Sequence, residues 1–495
     1  MSPLRKLAGQ TAIYGVSSIV GRLLNYFLVP FYTRIFTREQ FGVVTEMYAY
    51  VAFLVVILTY GMETAFFRFS TKTGRPAQVY ATILLSVIST SAMFIFMATL
   101  FSVPLGNLLG YPNHTEYIIW FAIIVGLDAI SAIPMARLRQ ELKARRFMIV
   151  SLANVFVNIG LNLFFLVYCK GHYNEHGEAS NWLVQTFYSP EIGVGYVFIS
   201  NLVASIVKLL LLSPQIVTIR IQYDTALMRA MLRYALPLMI LGLAGIVNET
   251  IDRVLLKHLL NLPESEALAE LGVYGACYKV AIIMSLAIQA YRYAAEPFFF
   301  NQEKSSDAKQ TYATLMRYFV ILAGLMFLGI MVFIDVVMLF VGEEFREGQQ
   351  VVPILLMAYV CYGIVFNLSF WFKLSERTNW GAAISLVGAA ITIALNVWLI
   401  PIMGYMGSAW ATLASYGAMV LLSFALGQRY YPIPYDLPRI LGYLALALGI
   451  YGLALWLQPE EGVLRYVVGT ALVLLFCALV WLSETRKKPL LSQHS

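Results

Sequence analysis

Residues 245–256 read GIVNETIDRVLL. Pro237–Ile246, which leads into this stretch, has no charged residue and reads as membrane helix. Glu249, Asp252 and Arg253 then follow within five residues. A charge near the centre of a bilayer costs roughly 2.5–3.5 kcal/mol on insertion scales. A span that carries three must give them something better than lipid to face.

Composition sets the frame for that reading. The chain has 495 residues, of which 60% are hydrophobic and 12% charged, and its mean hydropathy is +0.73. A soluble protein of this length needs more polar surface, so the class is an all-α, polytopic integral membrane protein. A spanning β-barrel would show alternating segments of roughly ten residues, whereas these apolar runs are about 20 residues long and do not alternate. Cys169, Cys277, Cys361 and Cys477 are scattered with no CxxC pair, which predicts neither a disulfide framework nor a zinc site. The formal charge of +7 lies in short loops, which points to membrane orientation and away from nucleic acid. MSPLRKLAGQ, the first ten residues, reads as the start of a retained helix.

About fourteen spans are expected. They fall near 11–36, 41–69, 79–103, 114–137, 147–169, 192–213, 234–258, 271–300, 312–335, 349–372, 381–401, 406–427, 439–457 and 464–482. Alternate loops hold about 21 of the 34 basic residues, from Arg5 and Lys6 through Arg137, Arg145 and Arg229 to Lys487. The opposite loops are acidic, with Glu175, Glu264 and Glu460 among them. The excess of positive charge then places both termini in the cytoplasm. No GxxxxGK[ST] phosphate loop occurs and no loop is long enough for a catalytic domain, so no enzyme activity is expected.

The chain also echoes itself. Lys143–Asn162 aligns with Arg377–Asn396 at an offset of 234 residues, matching Ser151–Leu152 to Ser385–Leu386 and Asn162 to Asn396. FGVVTEMY from Phe41 resembles LGVYGACY from Leu271 at a similar offset. Two six-span lobes in parallel repeat follow, a plan that places a substrate site between them. The expected division is a first lobe over 1–213, a cytoplasmic linker over 214–233, a second lobe over 234–430, and two further spans with a tail over 431–495.

These residues also carry a family resemblance. Gly21–Arg22 followed by TREQFG, LPLMI followed by DRVLL, LGVYGACYKV, and NVWLIPIMGYMGSAWAT from Asn396 to Thr412 stand in order along the chain. The set resembles the multidrug/oligosaccharidyl-lipid/polysaccharide exporter superfamily and, within it, the Wzx-type oligosaccharide flippases. The resemblance implies two six-helix lobes around a central cavity. It also implies alternating-access movement of an undecaprenyl-diphosphate-linked glycan, supplied to O-antigen, lipopolysaccharide or other polysaccharide machinery such as a polymerase. A cation-coupled multidrug antiporter and a lipid II flippase are the alternatives.

At a helical rise of about 1.5 Å per residue, the intramembrane charges fall at different depths. Arg22, Arg68, Arg253, Lys279 and Arg292 are the candidates to hold a diphosphate, because guanidinium binds phosphate bidentately. Asn248, Glu249, Asp252, Asn396 and Thr412 offer oxygen ligands suited to Na⁺ or a proton as coupling ion, an arrangement that lipid II flippases resemble in their second lobe. The competing readings are structural. Arg253 and Lys257 would snorkel to the interface, Arg22 would pair with Asp128, and Asn396 and Thr412 would only bond their own helices. Tyr291, Tyr293, Trp371 and Trp410 are either sugar-stacking or belt aromatics. Pro134, Pro237, Pro297 and Pro353 mark either hinges or static kinks. HYNEH, residues 172–176, would be a metal site only on a helix.

Overall fold

The computed structural model describes residues 19–177, 181–218, 222–302, 305–375, 377–457 and 462–485. Among them the chain is helical without a strand. In a bilayer every backbone donor and acceptor needs an internal partner, and an apolar run of this length satisfies that only as helix. Thirteen helical stretches among the described residues are long and apolar enough to cross a membrane. They fall in order on the second to fourteenth expected spans, from Arg38–Thr73 to Val463–Thr485. The first expected span begins outside the described residues, and its remainder is α1 (19–26) and α2 (Val29–Ile35). The protein is thus a multi-pass membrane protein.

Contacts divide the chain into two compact units, Met1–Gly275 and Ala276–Ser495. In the first unit α3 (Arg38–Thr59) opens on a capping box, in which Thr37 accepts from the Gln40 amide and Gln40 accepts from Thr37. The helix then buries Phe41, Gly42, Val43, Val44, Glu46 and Met47. Met62–Thr73 is α4, and α5 (Pro76–Leu100) packs against it and against α7 (Thr115–Gln140). Between α5 and α7 lies the short α6 (Ser102–Leu109). Ala144–Asn162, α8, continues through a π-helical stretch, Leu163–Cys169, into α9 (Lys170–His176). After α10 (Trp182–Phe187), α11 (Gly195–Val217) packs on α7 and α8. Asp224 caps the long α12 (Thr225–Leu259) by accepting from the Leu227 amide at 2.9 Å.

Two details of this unit depend on the absence of a side chain. Gly42 of α3 lies against the first turns of α13 (Glu264–Gln302), where an added Cβ would sit 1.9 Å from the Leu268 carbonyl oxygen. Gly61 divides α3 from α4 in the left-handed region, with φ 72°, and a Cβ there would lie 2.7 Å from the Ala235 carbonyl of α12. The expected unbroken span over 41–69 is therefore two helices, because α12 comes too close for a straight one.

In the second unit α14 (Ala308–Val332) leads through α15 (Ile334–Met338) and a 3₁₀ stretch, Glu343–Gln350, to α16 (Val351–Leu368) and α17 (Phe370–Leu374). Thr378–Met403, α18, and Tyr405–Tyr430, α19, pack on each other and α19 also packs on α16. The last helices, α20 (Leu437–Leu457) and α21 (Val463–Thr485), pack on α14. Ion pairs hold both ends of that contact. Arg317 and Arg439 flank Glu484 at 3.2 and 3.6 Å, and Arg465 meets Asp335 at 2.5 Å.

Gly42→Ala is expected to lower stability by about 1–3 kcal/mol, the cost of overpacking where neither backbone can retreat. Gly160→Ala on α8, whose Cβ would meet nothing within 4 Å, should be neutral or stabilising by up to about 1 kcal/mol. Thermal unfolding of the two purified variants checks both signs, and equal effects would contradict the packing account.

Candidate functional site

Among the described residues of the first unit, the most deeply buried charge is Glu46. It lies about 13 Å along α3 from its N-cap, at 1.5 Å per residue, and has 0% exposure. A carboxylate taken out of water needs both a counter-charge and hydrogen bonds, and Glu46 has both. Oε1 accepts from the Tyr50 hydroxyl at 2.7 Å. Oε2 accepts from the Tyr111 hydroxyl and from Lys257 Nζ, the latter at 3.1 Å.

Lys257 stands in the last turns of α12 and is itself buried. Its ammonium uses three directions. It donates to Glu46, to the Leu109 carbonyl at 2.7 Å and to Glu264 Oε1 at 2.9 Å, and it lies 4.4 Å above the Tyr111 ring. His258 joins the edge of the cluster, with Nε2 3.2 Å from the Tyr50 hydroxyl. Burial first, and then the Glu46 carboxylate, push the Tyr111 phenol far above its ordinary range, so it remains a donor. One ammonium thus draws together α3, the end of α6, the 110–114 turn, α12 and the start of α13. Snorkelling, the structural reading of Lys257 in the sequence, is corrected: the side chain turns inward because Glu46 gives it a buried counter-charge.

Sequence alone gives Glu46 only a weak signal. The available signal was a single acid in the apolar run Phe41–Met62, at the position where the otherwise similar stretch from Leu271 has Ala276.

The sequence candidates take varied places. Arg22 on α1 and Glu249 on α12 are exposed, and neither is sealed between helices. Asn248 and Asp252 lie one turn apart on α12 and are buried. Asp252 accepts from Tyr274 at 2.5 Å through Oδ2 and from the Arg253 amide at 2.9 Å through Oδ1. Arg253 is half-buried. Arg68 is exposed, with its guanidinium 4.2 Å from the Tyr234 ring centre. Asp128, considered as a partner of Arg22, accepts from Ser205 at 3.2 Å and Lys208 at 3.3 Å.

In the second unit Lys279 and Arg292 are half-buried. Arg292 donates to the Tyr362 hydroxyl at 3.1 Å and lies 5.0 Å from the Phe366 ring centre. Asn396 and Thr412 are buried on α18 and α19, and each donates to the carbonyl four residues earlier. Beside them Thr392 donates to Ser415 at 2.9 Å. Asn396 Oδ1 has no hydrogen-bond partner among the described residues. Of the aromatic candidates, Tyr291 donates to Asn367 at 2.6 Å and Trp371 to Ser423 at 3.2 Å, both inside the helix packing, while Tyr293 and Trp410 are exposed. HYNEH does lie on a helix, α9, with the Nδ1 atoms of His172 and His176 2.8 Å apart. Among the described residues no group of three or more ligating side chains forms a metal site.

A family described as polysaccharide biosynthesis protein matches residues 7–303. No curated protein sequence matches the chain. Among solved structures, the lipid II flippase MurJ in an inward closed conformation is 12% identical with a TM-score of 0.68, over 96% of this chain and 100% of that chain. An inward-facing multidrug resistance MATE family transporter of the MOP superfamily is 13% identical with a TM-score of 0.61, over 83% and 94%. A MATE in complex with MaD3S is 12% identical with a TM-score of 0.58, over 87% and 98%. At these identities the likeness is one of fold.

Lys257→Met is expected to destabilise the protein by about 3–5 kcal/mol, because it strands a fully buried carboxylate. Glu46→Gln should cost less, since Lys257 keeps Glu264 and the Leu109 carbonyl. The double variant should cost less than the two singles together. Unfolding measurements on the three variants in detergent test this, and strict additivity would count against the pair.

Proposed function

We propose, for a chain that belongs to the polysaccharide biosynthesis protein family, that it is a flippase moving a lipid-diphosphate-linked oligosaccharide across the bacterial inner membrane by alternating access. The observation that carries this reading is the pairing of that family with a multi-pass fold shared along 96% of the chain with a lipid flippase. Polysaccharide assembly needs a step in which a lipid-linked glycan crosses the bilayer, and a helical transporter fold suits that step. In this reading the carrier is undecaprenyl diphosphate, and the product feeds O-antigen, lipopolysaccharide or a related polysaccharide through a polymerase. Both termini lie in the cytoplasm, as the loop charges favour. The two lobes, 1–213 and 234–430, joined by the linker 214–233 and followed by 431–495, are part of the same proposal, as is their parallel repeat.

The site assignments follow the chemistry. Arg22, Arg68, Arg253, Lys279 and Arg292 would receive the diphosphate along its path. Exposure of Arg22 supports its part, since a sealed arginine could not reach a ligand. Asn248, Glu249, Asp252, Asn396 and Thr412 would serve a coupling Na⁺ or proton, and the unpartnered Asn396 oxygen supports that role. Lys257 would hold α3 against α12 in the present conformation, through the contact at 3.1 Å that must break if these helices separate.

The test is reconstitution in liposomes loaded with a fluorescent undecaprenyl-diphosphate oligosaccharide, with accessibility to an added glycosidase as the readout. Wild type should expose the glycan rapidly, faster under an imposed Na⁺ or proton gradient, and Arg22→Ala should be at least about tenfold slower, the loss of one charge-assisted phosphate contact. A wild type that leaves the glycan inside but expels cationic dyes would replace this reading with the multidrug antiporter. Selective transport of lipid II would replace it with the peptidoglycan flippase.

A further inference from the structure

A cavity lies in the first unit, away from the charged cluster. It has a volume of about 460 Å³, within the range of roughly 300–1,000 Å³ typical of small-molecule pockets. Five of its lining residues carry hydroxyls: Tyr60, Ser86, Ser89, Thr90 and Tyr223. The remainder, Leu85, Met228 and Leu232, are apolar, and no lining residue is charged.

Backbone contacts hold the segments that carry the two tyrosines, of which Tyr60 is buried and Tyr223 exposed. Tyr60 has φ 31°, a left-handed conformation that a bulky residue rarely adopts. It is imposed by the α3–α4 break, where Gly61 meets the Ala235 carbonyl. Tyr223 sits in a segment pinned to α5 on both sides. Thr82 Oγ1 lies 3.4 Å from the Gln222 carbonyl and 3.3 Å from the Asp224 amide, and Gln78 donates to Asp224 at 3.2 Å.

The hydroxyls are also divided by role. Thr90 donates to the Ser86 carbonyl at 3.0 Å and Ser86 donates to the Tyr223 hydroxyl at 3.4 Å, so both keep lone pairs for an incoming donor. The Tyr60 residue is 9% exposed, and its buried hydroxyl has the Thr90 and Ser86 side chains as neighbours without reaching full hydrogen-bond geometry with either. Tyr60, Ser86, Thr90 and Tyr223 thus form one loosely bonded hydroxyl cluster at the cavity, whose hydrogen bonding a ligand hydroxyl would complete.

We infer that this cavity is a subsite for an uncharged, hydroxyl-rich ring, a neutral sugar residue of the transported glycan. The assignment rests on the flippase reading and extends it to the chemistry of the substrate head. Hydroxyls exchange for ordered water without loss of hydrogen bonds, and the ring's C–H face meets Leu85, Met228 and Leu232. A phosphate or uronic acid would enter with no cation among the lining residues, so it is rejected here. The charged and neutral parts of one substrate are thereby read by different groups.

The probe is a neutral disaccharide carrying a diazirine, cross-linked to the full-length protein in nanodiscs and mapped by mass spectrometry. Label is expected in residues 60–90 and 223–232, displaced by excess maltose and unaffected by inorganic phosphate. Tyr60→Phe and Thr90→Val should each weaken binding on the order of tenfold, with Tyr60→Phe melting close to the wild-type temperature. A merely structural hydroxyl would not separate binding from stability in this way. Label elsewhere, equal labelling by a glucuronate-bearing probe, or unchanged binding in Tyr60→Phe would overturn the assignment. The glycosidase assay on the same preparations separates the two claims. Translocation without sugar binding removes the subsite alone, and sugar binding without translocation removes the flippase reading on which the glycan assignment rests.

Discussion

A carboxylate with no access to solvent is the constraint around which the first unit is arranged. Glu46 lies on a helix that is otherwise suited to lipid and apolar neighbours, and its ionised form is tolerable only with charge and hydrogen bonds supplied from elsewhere. The partner, Lys257, is 211 residues away in sequence. To bring it there, α12 must end beside the first turns of α3, the Leu109 carbonyl must face the same point, and α13 must start with Glu264 in reach. The glycine at position 42 makes the α13 approach possible, and the glycine at 61 makes room for α12 farther along. Ion pair and helix contacts therefore specify one another.

The second unit solves a different problem. Its two terminal helices pack on α14, and ion pairs lie at both ends of the arrangement: Arg317 of α14 and Arg439 of α20 on Glu484 of α21, and Arg465 of α21 on Asp335 of α15. Apolar helices in lipid gain little from hydrophobic burial against each other. Ion pairs near the helix ends give the orientation that hydrophobicity alone would leave free.

Function, in this view, follows from how polar groups are distributed across an apolar scaffold. The charged cluster near the end of α12 is closed upon itself, with the lysine donating in three directions. The hydroxyl-lined cavity beside Tyr60 is open and uncharged. The pair Asn396 and Thr412 lies within the α18–α19 contact, where an amide oxygen is left without a partner. In the proposed flippase the first of these would fix helix positions, and the other two would serve the neutral glycan and a coupling ion.

Thirteen spans, from Arg38 to Thr485, were legible in the sequence because hydropathy is a local property that a bilayer reads directly. The family resemblance was legible for a similar reason, as an ordered set of short motifs. The tertiary structure alone decided the rest. It turned Lys257 inward, which no count of its neighbours in the chain could reveal, and it gave Asp128 to Ser205 and Lys208. It broke the helix at Tyr60, because the obstacle is a carbonyl of Ala235 on another helix. Sequence settles whether a segment can live in lipid. Which buried charge meets which, and where a polar atom is left waiting, depends on distances between segments hundreds of residues apart, and only the folded chain sets those.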